Sequence, residues 1–268
     1  MRSTLLTAFS IACIALPAKS HEFWIEPVAF QIESGDVVEA HLRVGQNFEG
    51  ASQSFIPRNF KRFEYFQENR TEDVIGVVGD RPAVKLQTER DGLLILVHQT
   101  NDKSITWNTW KKFVNFLSHK DAGWVIEEHL ANGFPKEDVR EVYSRYAKSL
   151  IAVGTGAGND ELMGLPTEIV ALENPYTGNM ADGIRVKVFY DGKPRVSAQV
   201  EVFQRGSEGN LKVFNVDTNS AGIATIPVES GAHYMLDSVV LRPATDSAAY
   251  GGPFLWESLW ANLTFAVP

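Results

Sequence analysis

The chain has 268 residues, of which 44% are hydrophobic and 22% charged, the composition of a folded globular protein. A chain of this length needs neither disulfides nor a structural metal in order to fold. Its 25 basic and 33 acidic residues give a formal net charge of −8. This balance argues against nucleic acid and anionic membrane surfaces as main partners, because both bind through basic surfaces.

The first twenty residues have the pattern of a secretory signal peptide. Arg2 supplies a positive charge, residues 5–15 are almost wholly apolar, and Ala18 and Ser20 are the small residues expected before a cleavage site. The apolar stretch is shorter than the ~20 residues that span a bilayer. The sequence therefore predicts a periplasmic protein with no membrane span once the signal is removed.

Cleavage after Ser20 would make His21 the first residue of the mature protein. Its α-amine and imidazole could then chelate Ni(II), Cu(II) or Zn(II) together. The pKa of an α-amine is only ~7.7–8.0, so a metal can displace its proton near neutral pH. A third nitrogen from a distant histidine would complete a histidine brace. Cleavage would also remove Cys13, the only cysteine, and with it any thiol chemistry.

Residues 21–153 are predicted to form a first β-sandwich unit. Val38, Ala40 and Leu42 alternate with polar residues, which is typical of a strand with one buried face. Residues 93–97 are all apolar, as in a strand buried on both faces.

A helical insertion is predicted at about residues 104–150 of this unit. The expected first helix carries an apolar stripe from Trp107 to Leu117, and a second helix contains His129. A third is expected after Pro135, because Val139 and later apolar residues recur at helical spacing.

The remaining chain is predicted to contain a linker and a second β-sandwich unit. Residues 154–182 are rich in glycine and proline and favour a connecting region. Residues 183–268 show short alternating segments separated by Gly, Pro and Asn turns. The predicted fold class is therefore mainly β, with two immunoglobulin-like β-sandwich units and a helical insertion in or after the first.

Two internal histidines are candidate partners for His21 in a metal site. His98 ends the strand that is expected to be buried, and His129 borders the packed face of its helix. Each also has a purely structural interpretation: a buried histidine bonded to backbone, or a helix histidine stabilised by the macrodipole. Neither a CxxC nor an HExxH zinc motif is present, and there is no GxSxG nucleophile motif. The sequence does not predict an enzyme.

Several motifs in the same order resemble a family of exported bacterial proteins, domain-of-unknown-function 4198, whose domain is called "nickel uptake substrate-specific". The matching segments are residues 21–27, 42–45, 143–148, 165–166 with Glu168, 174–176 and 256–265. The resemblance covers nearly all of residues 21–268. It implies a periplasmic role in the uptake of nickel or another transition metal, and it implies His21, and more weakly His98 and His129, as ligands.

The favoured function is a periplasmic protein that captures Ni(II) or Cu(II), with Zn(II) as an alternative ion, for an envelope metal-uptake system. One alternative is an oxidative copper enzyme that uses a histidine brace. Another is a β-sandwich module that binds an envelope protein or polymer without metal.

Overall fold

The computed structural model describes residues 21–245 and 252–268, and the predicted signal peptide, residues 1–20, lies outside them. The described part is mainly β, as predicted, and contains two of the three predicted helices and a 3₁₀ turn at Pro57–Asn59. The helices are α1 (Trp110–His119) and α2 (Trp124–Ala131). The strands in this part of the chain are β1 (Glu22–Pro27), β2 (Gln31–Ile32), β3 (Val37–Gln46), β4 (Glu49–Gln53), β5 (Phe60–Gln67), β6 (Arg70–Asp73), β7 (Val84–Gln87), β8 (Gly92–Thr100), β9 (Lys103–Trp107), β10 (Val139–Val153), β11 (Thr167–Ala171), β12 (Ile184–Tyr190), β13 (Lys193–Pro194), β14 (Gln199–Arg205), β15 (Leu211–Asp217), β16 (Ile223–Ile226), β17 (Ala232–Pro243) and β18 (Trp256–Val267).

One long sheet, which we call the central sheet, joins strands from both predicted units. Its order is β15-β14-β17-β18-β10-β8-β5-β6, with β2 and β9 also paired to β10. β10 and β18 pair in parallel, so the N-terminal and C-terminal parts of the chain meet in the middle of the sheet.

Two smaller sheets cover opposite faces of the central sheet. The N-terminal sheet (β1, β3, β4 and β7) packs on the face that carries Leu94 and Leu96. The C-terminal sheet (β11, β12, β13 and β16) packs on the face that carries Leu93 and Ile95. This arrangement explains the continuous apolar run of β8, because successive side chains of a strand point to opposite faces and both faces are buried here.

The third predicted helix is wrong, because residues 139–153 form β10. This strand lies between two covering sheets and is buried over almost its whole length. Its apolar residues therefore do not alternate, and their spacing imitates that of a helix. The polar residues of this strand are buried as well; Lys148 Nζ, for example, lies 2.7 Å from Asp160 Oδ1 and 3.0 Å from Glu168 Oε1.

Helix α1 also begins later than the sequence suggests. Trp107 belongs to β9, and Thr109 precedes the first helical residue of α1. The helices pack on Trp256 and Trp260 of β18 and on β17, which belong to the C-terminal part of the chain. None of the helices in residues 21–245 and 252–268 is long and apolar enough to cross a membrane.

The predicted linker contains ordered structure of its own. β11 lies within it, and the buried ion pairs of Lys148 with Asp160 and Glu168 fasten it to β10. The carboxylate of Glu168 also accepts hydrogen bonds from the backbone N–H groups of Met163 and Leu165. Residues 154–166 are thus held in place by charges that have no contact with solvent.

Candidate functional site

His129 is fully buried, and both of its ring nitrogens have hydrogen-bond partners. Nε2 lies 2.9 Å from the carbonyl oxygen of Pro135, and the indole N–H of Trp256 donates to Nδ1 over 3.0 Å. The ring also packs against Trp110 and Phe113. In this arrangement His129 has no lone pair available to a metal, and its contacts join α2 to β18.

His98 is 3% exposed and lies on β8 among aromatic rings. The ring centroids of Phe23 and Phe63 are each 4.9 Å away, and that of Phe60 is 5.4 Å away. Burial lowers the pKa of His98 to about 3, so the ring is neutral at physiological pH. Its Nδ1 atom is buried without a hydrogen-bond partner.

His21 immediately precedes β1 and is half-buried. The Nη2 group of Arg145 donates to its backbone carbonyl over 2.7 Å. The three predicted ligands do not form a cluster: among the described residues, the only group of three or more His, Cys, Asp or Glu side chains with ligand atoms within 4.8 Å is Glu22, His119 and Glu201.

These residues belong to a compact group of charges, which we call the Lys120 cluster: Glu22, His119, Lys120, Glu201 and Asp237. The Lys120 ammonium lies 2.7 Å from Glu201, 3.0 Å from Asp237 and 3.3 Å from Glu22. Its side chain is 3% exposed, and those of the three carboxylates are at most 5% exposed. Buried charges of this kind persist only when they are paired.

Strand register and helix packing assemble the cluster from distant parts of the chain. Glu201 on β14 is directly paired with Asp237 on β17 in the central sheet. Glu22 comes from the start of β1, which crosses over the central sheet, and Lys120 follows the last residue of α1. Lys120 also lies 4.8 Å from the centre of the Trp260 ring.

His119 is the exposed member of the cluster. Its Nε2 lies 3.1 Å from Glu201 Oε1, while the other oxygen of Glu201 contacts Lys120. The hydrogen bond with Glu201 raises the pKa of His119. Burial alone would raise the pKa of Glu201, but His119 and Lys120 together lower it.

The other groups of the cluster respond to burial in opposite ways. Burial raises the pKa values of Glu22 and Asp237, although Lys120 opposes this. Burial would lower the pKa of Lys120, but the three carboxylates outweigh it and raise that pKa. Lys120 therefore stays charged.

Some polar atoms beside the cluster lack hydrogen-bond partners among the described residues. They are Oδ1 of Asp237, Nε of Arg145 and both amide atoms of Asn262. Asn262 is directly paired with Asp237 in the sheet, and the charges of Glu22 and Asp237 act on Arg145. Buried polar groups are usually satisfied, so these atoms identify a place that can accept water or a ligand.

The sequence motifs do not single out four members of this cluster: His119, Lys120, Glu201 and Asp237. His119 ends α1, and 59% of its side chain is exposed. Its partner Glu201 is 82 positions away, and Asp237 is 117 positions from Lys120. No spacing in the sequence relates these positions, because only the register of β14 and β17 and the end of α1 bring them together.

A family model described as "Domain of unknown function (DUF4198)" matches residues 18–241. The chain belongs to this family. The DUF4198 description assigns no function, so the nickel role implied by the resemblance stays a prediction. No curated protein is a significant match.

Two solved structures are similar over most of the chain. The "D0-D1 domain of Intimin" is 11% identical, with 90% of this chain and 97% of that chain covered and a TM-score of 0.23. A "tetra-tandem repeat in extending region of large adhesion protein" is 10% identical, with 91% and 49% covered and a TM-score of 0.21. At these scores neither likeness carries an argument about function.

Proposed function

We propose that the mature protein captures a transition-metal ion, Ni(II), Cu(II) or Zn(II), in the periplasm, at the point where its N-terminus meets the Lys120 cluster. The observation that carries the proposal is the convergence of Glu22, His119 and Glu201, whose ligand atoms lie within 4.8 Å of one another. Glu22 directly follows His21 in the chain. Delivery of the ion to an envelope uptake system is the role that the DUF4198 resemblance implies.

The donor set suits these metals. Imidazole nitrogen and carboxylate oxygen both bind Zn(II), and the α-amine and imidazole of a terminal His21 would add the nitrogens that Ni(II) and Cu(II) prefer. Arg145 holds the carbonyl of His21, which supports a fixed position for the terminal residue. In this proposal His119 replaces His98 and His129 as the partner of His21.

Charge and exposure also support the proposal. The cluster holds three buried carboxylates against the single ammonium of Lys120, so it retains negative charge when all three are ionised. His119, with 59% of its side chain exposed, gives the ion a route from solvent. The ion would compete with the His119 proton, so affinity should increase as pH rises through the His119 pKa.

The test uses protein that the cell has secreted and cut, with an N-terminus at His21 established by mass spectrometry. Calorimetry then measures the affinity of the wild type and three variants for Ni(II), Cu(II) and Zn(II). The first variant carries one extra residue before His21, and the second is His119→Gln. The third, His233→Gln, is a control at another exposed histidine. We expect one-to-one binding that weakens by about tenfold or more in the first two variants and is unchanged in the control.

Two results would refute the proposal. The first is no binding to the wild type, which would leave the envelope-interaction module as the remaining function. The second is binding that neither the extra residue nor His119→Gln weakens. Reductant-dependent oxygen consumption by the copper form would instead indicate the oxidative enzyme.

A further inference from the structure

A small cavity opens beside His98, at the edge of the packing between the N-terminal and central sheets. Its volume is about 90 Å³. We call it the His98 cavity. Its lining residues come from β1, β3, β4, β5, β8, β9 and β10 and the turn before β5, so it is built by the tertiary fold and not by one loop.

The charge of the lining is opposite to that of the whole chain. Arg145 and Lys103 line the cavity, and no aspartate or glutamate does. The chain as a whole carries a net charge of −8. A cavity with two cations and no carboxylate in an acidic protein favours an anionic ligand.

Arg145 has unused capacity to bind such an anion. It is 8% exposed, and in the described part of the chain the charges of Glu22 and Asp237 act on it without forming an ion pair with it. Nη2 donates to the carbonyl of His21, but Nε is buried without a partner. A guanidinium binds a carboxylate through two parallel N–H groups, and leaving one of them buried and unpaired costs free energy.

His98 also lines the cavity and carries a second buried polar atom without a partner. Its ring is fixed by Phe23, Phe60 and Phe63, and its buried Nδ1 has no hydrogen-bond partner. A neutral imidazole can carry its proton on Nδ1 and donate it to an anion.

The rest of the wall is largely apolar. Phe23, Leu42, Val44, Ile56 and Phe60 line it. A volume of about 90 Å³ is well below the ~300–1,000 Å³ of a pocket for a drug-sized ligand. The hydrocarbon part of a ligand must therefore be short.

We propose that the His98 cavity binds a small organic monocarboxylate, with its carboxylate on Arg145 and a hydrocarbon body of about three or four carbons against the apolar wall. This inference does not rest on the proposed metal function. It assigns His98, which the Lys120 cluster does not use, to the recognition of a different ligand.

The experiment compares butyrate with butyramide, which has the same shape and no charge, and with inorganic phosphate, which has charge and no hydrocarbon body. Binding to the full mature protein is measured by calorimetry and by saturation-transfer NMR. We expect butyrate to bind saturably and at least about tenfold more tightly than either of the other two.

Variants locate the ligand. Arg145→Lys keeps the positive charge but loses the planar fork, and we expect it to weaken butyrate binding about tenfold. Lys103→Gln removes an exposed charge at the cavity and should weaken binding about two- to fivefold. Lys212→Gln, a matched change on β15 at the far edge of the central sheet, should have no effect.

Three results would overturn the inference: no saturable butyrate binding, equal affinity for butyrate and butyramide, or equal affinity for butyrate and phosphate. If Arg145→Lys does not fold, Lys103→Gln decides the location. An affinity for butyrate that Lys103→Gln leaves unchanged would place the ligand elsewhere and contradict the proposal.

Discussion

Glu141 is a buried carboxyl group without a cation beside it, and it should make the stability of the protein depend on pH. It lies on β10 and is 1% exposed. The indole N–H of Trp107 donates to Oε2 over 2.7 Å, and the hydroxyl of Ser258 donates to Oε1. These hydrogen bonds favour the charged form, but burial outweighs them and raises the pKa of Glu141 to about 7.

The direction of the effect follows from where protons are bound. Between pH 4.5 and about pH 7 the folded state keeps the Glu141 proton while the unfolded state, with a pKa near 4.5, loses it. The unfolded state therefore binds fewer protons, and the free energy of unfolding falls as pH rises through this interval. A pKa difference of about 2.5 units corresponds to about 3 kcal/mol, at about 1.4 kcal/mol per unit.

Glu141→Gln removes this dependence, because the amide is neutral in both states and can still accept from Trp107. We expect the variant to match the wild type near pH 4 and to be more stable by about 3 kcal/mol near pH 8. Urea unfolding at several pH values measures the difference. Contributions of other groups, such as the depressed pKa of His98, cancel because both proteins share them.

Glu137→Gln, at an exposed position on the same part of the chain, is the control and should show no such pH-dependent difference. An equal stability difference between the wild type and Glu141→Gln at pH 4 and pH 8 would contradict the raised pKa of Glu141. A difference that grows in the opposite direction would also refute it.

Lys120→Met should lower the free energy of unfolding, measured in urea, by about 3–5 kcal/mol, because it leaves three buried carboxylates without their cation. An unchanged free energy of unfolding would contradict the pairing of Lys120 with these carboxylates. If the metal proposal is right, Ni(II) or Zn(II) stabilises this variant more than the wild type. His129→Ala should cost about 2–4 kcal/mol, since it removes packing and leaves the indole N–H of Trp256 unpaired. The same variant should leave metal affinity unchanged, and a loss of affinity would return His129 to the metal site. NMR titration should give His119 a pKa above 6.5 that falls in Glu201→Gln, and equal values in the two proteins would show that the hydrogen bond between them is absent in solution.

Local patterns in the sequence were sufficient to predict strands that are apolar on one face or on both faces. β3 has one buried face, and its alternation of Val38, Ala40 and Leu42 with polar residues predicted it correctly. β8 is buried on both faces, and its unbroken apolar run identified it as an interior strand. The family, the mainly β class and the presence of two helices were also accessible from sequence, because each depends on contiguous motifs or on short-range periodicity.

The tertiary structure alone decided the role of β10 and the membership of the charge cluster. β10 carries Glu141, Arg145 and Lys148 between two covering sheets, so these polar residues are buried together with the apolar residues that suggested a helix. Their partners, such as Ser258 and Glu168, come from other strands. Hydrophobic periodicity reports how residues face water, and it fails where polar residues are buried by pairing with each other.

The same reason explains why the residues around Glu22 were not identified from the sequence. The position of His21 relative to the predicted cleavage site is a property of the sequence. Whether a distant side chain reaches it depends on strand register and on where α1 ends, and these bring His119 and Glu201 to Glu22 while His129 bonds to Trp256. Ligand sets and charge networks assembled from separate strands leave no spacing in the sequence, because the distances that define them exist only in the folded chain.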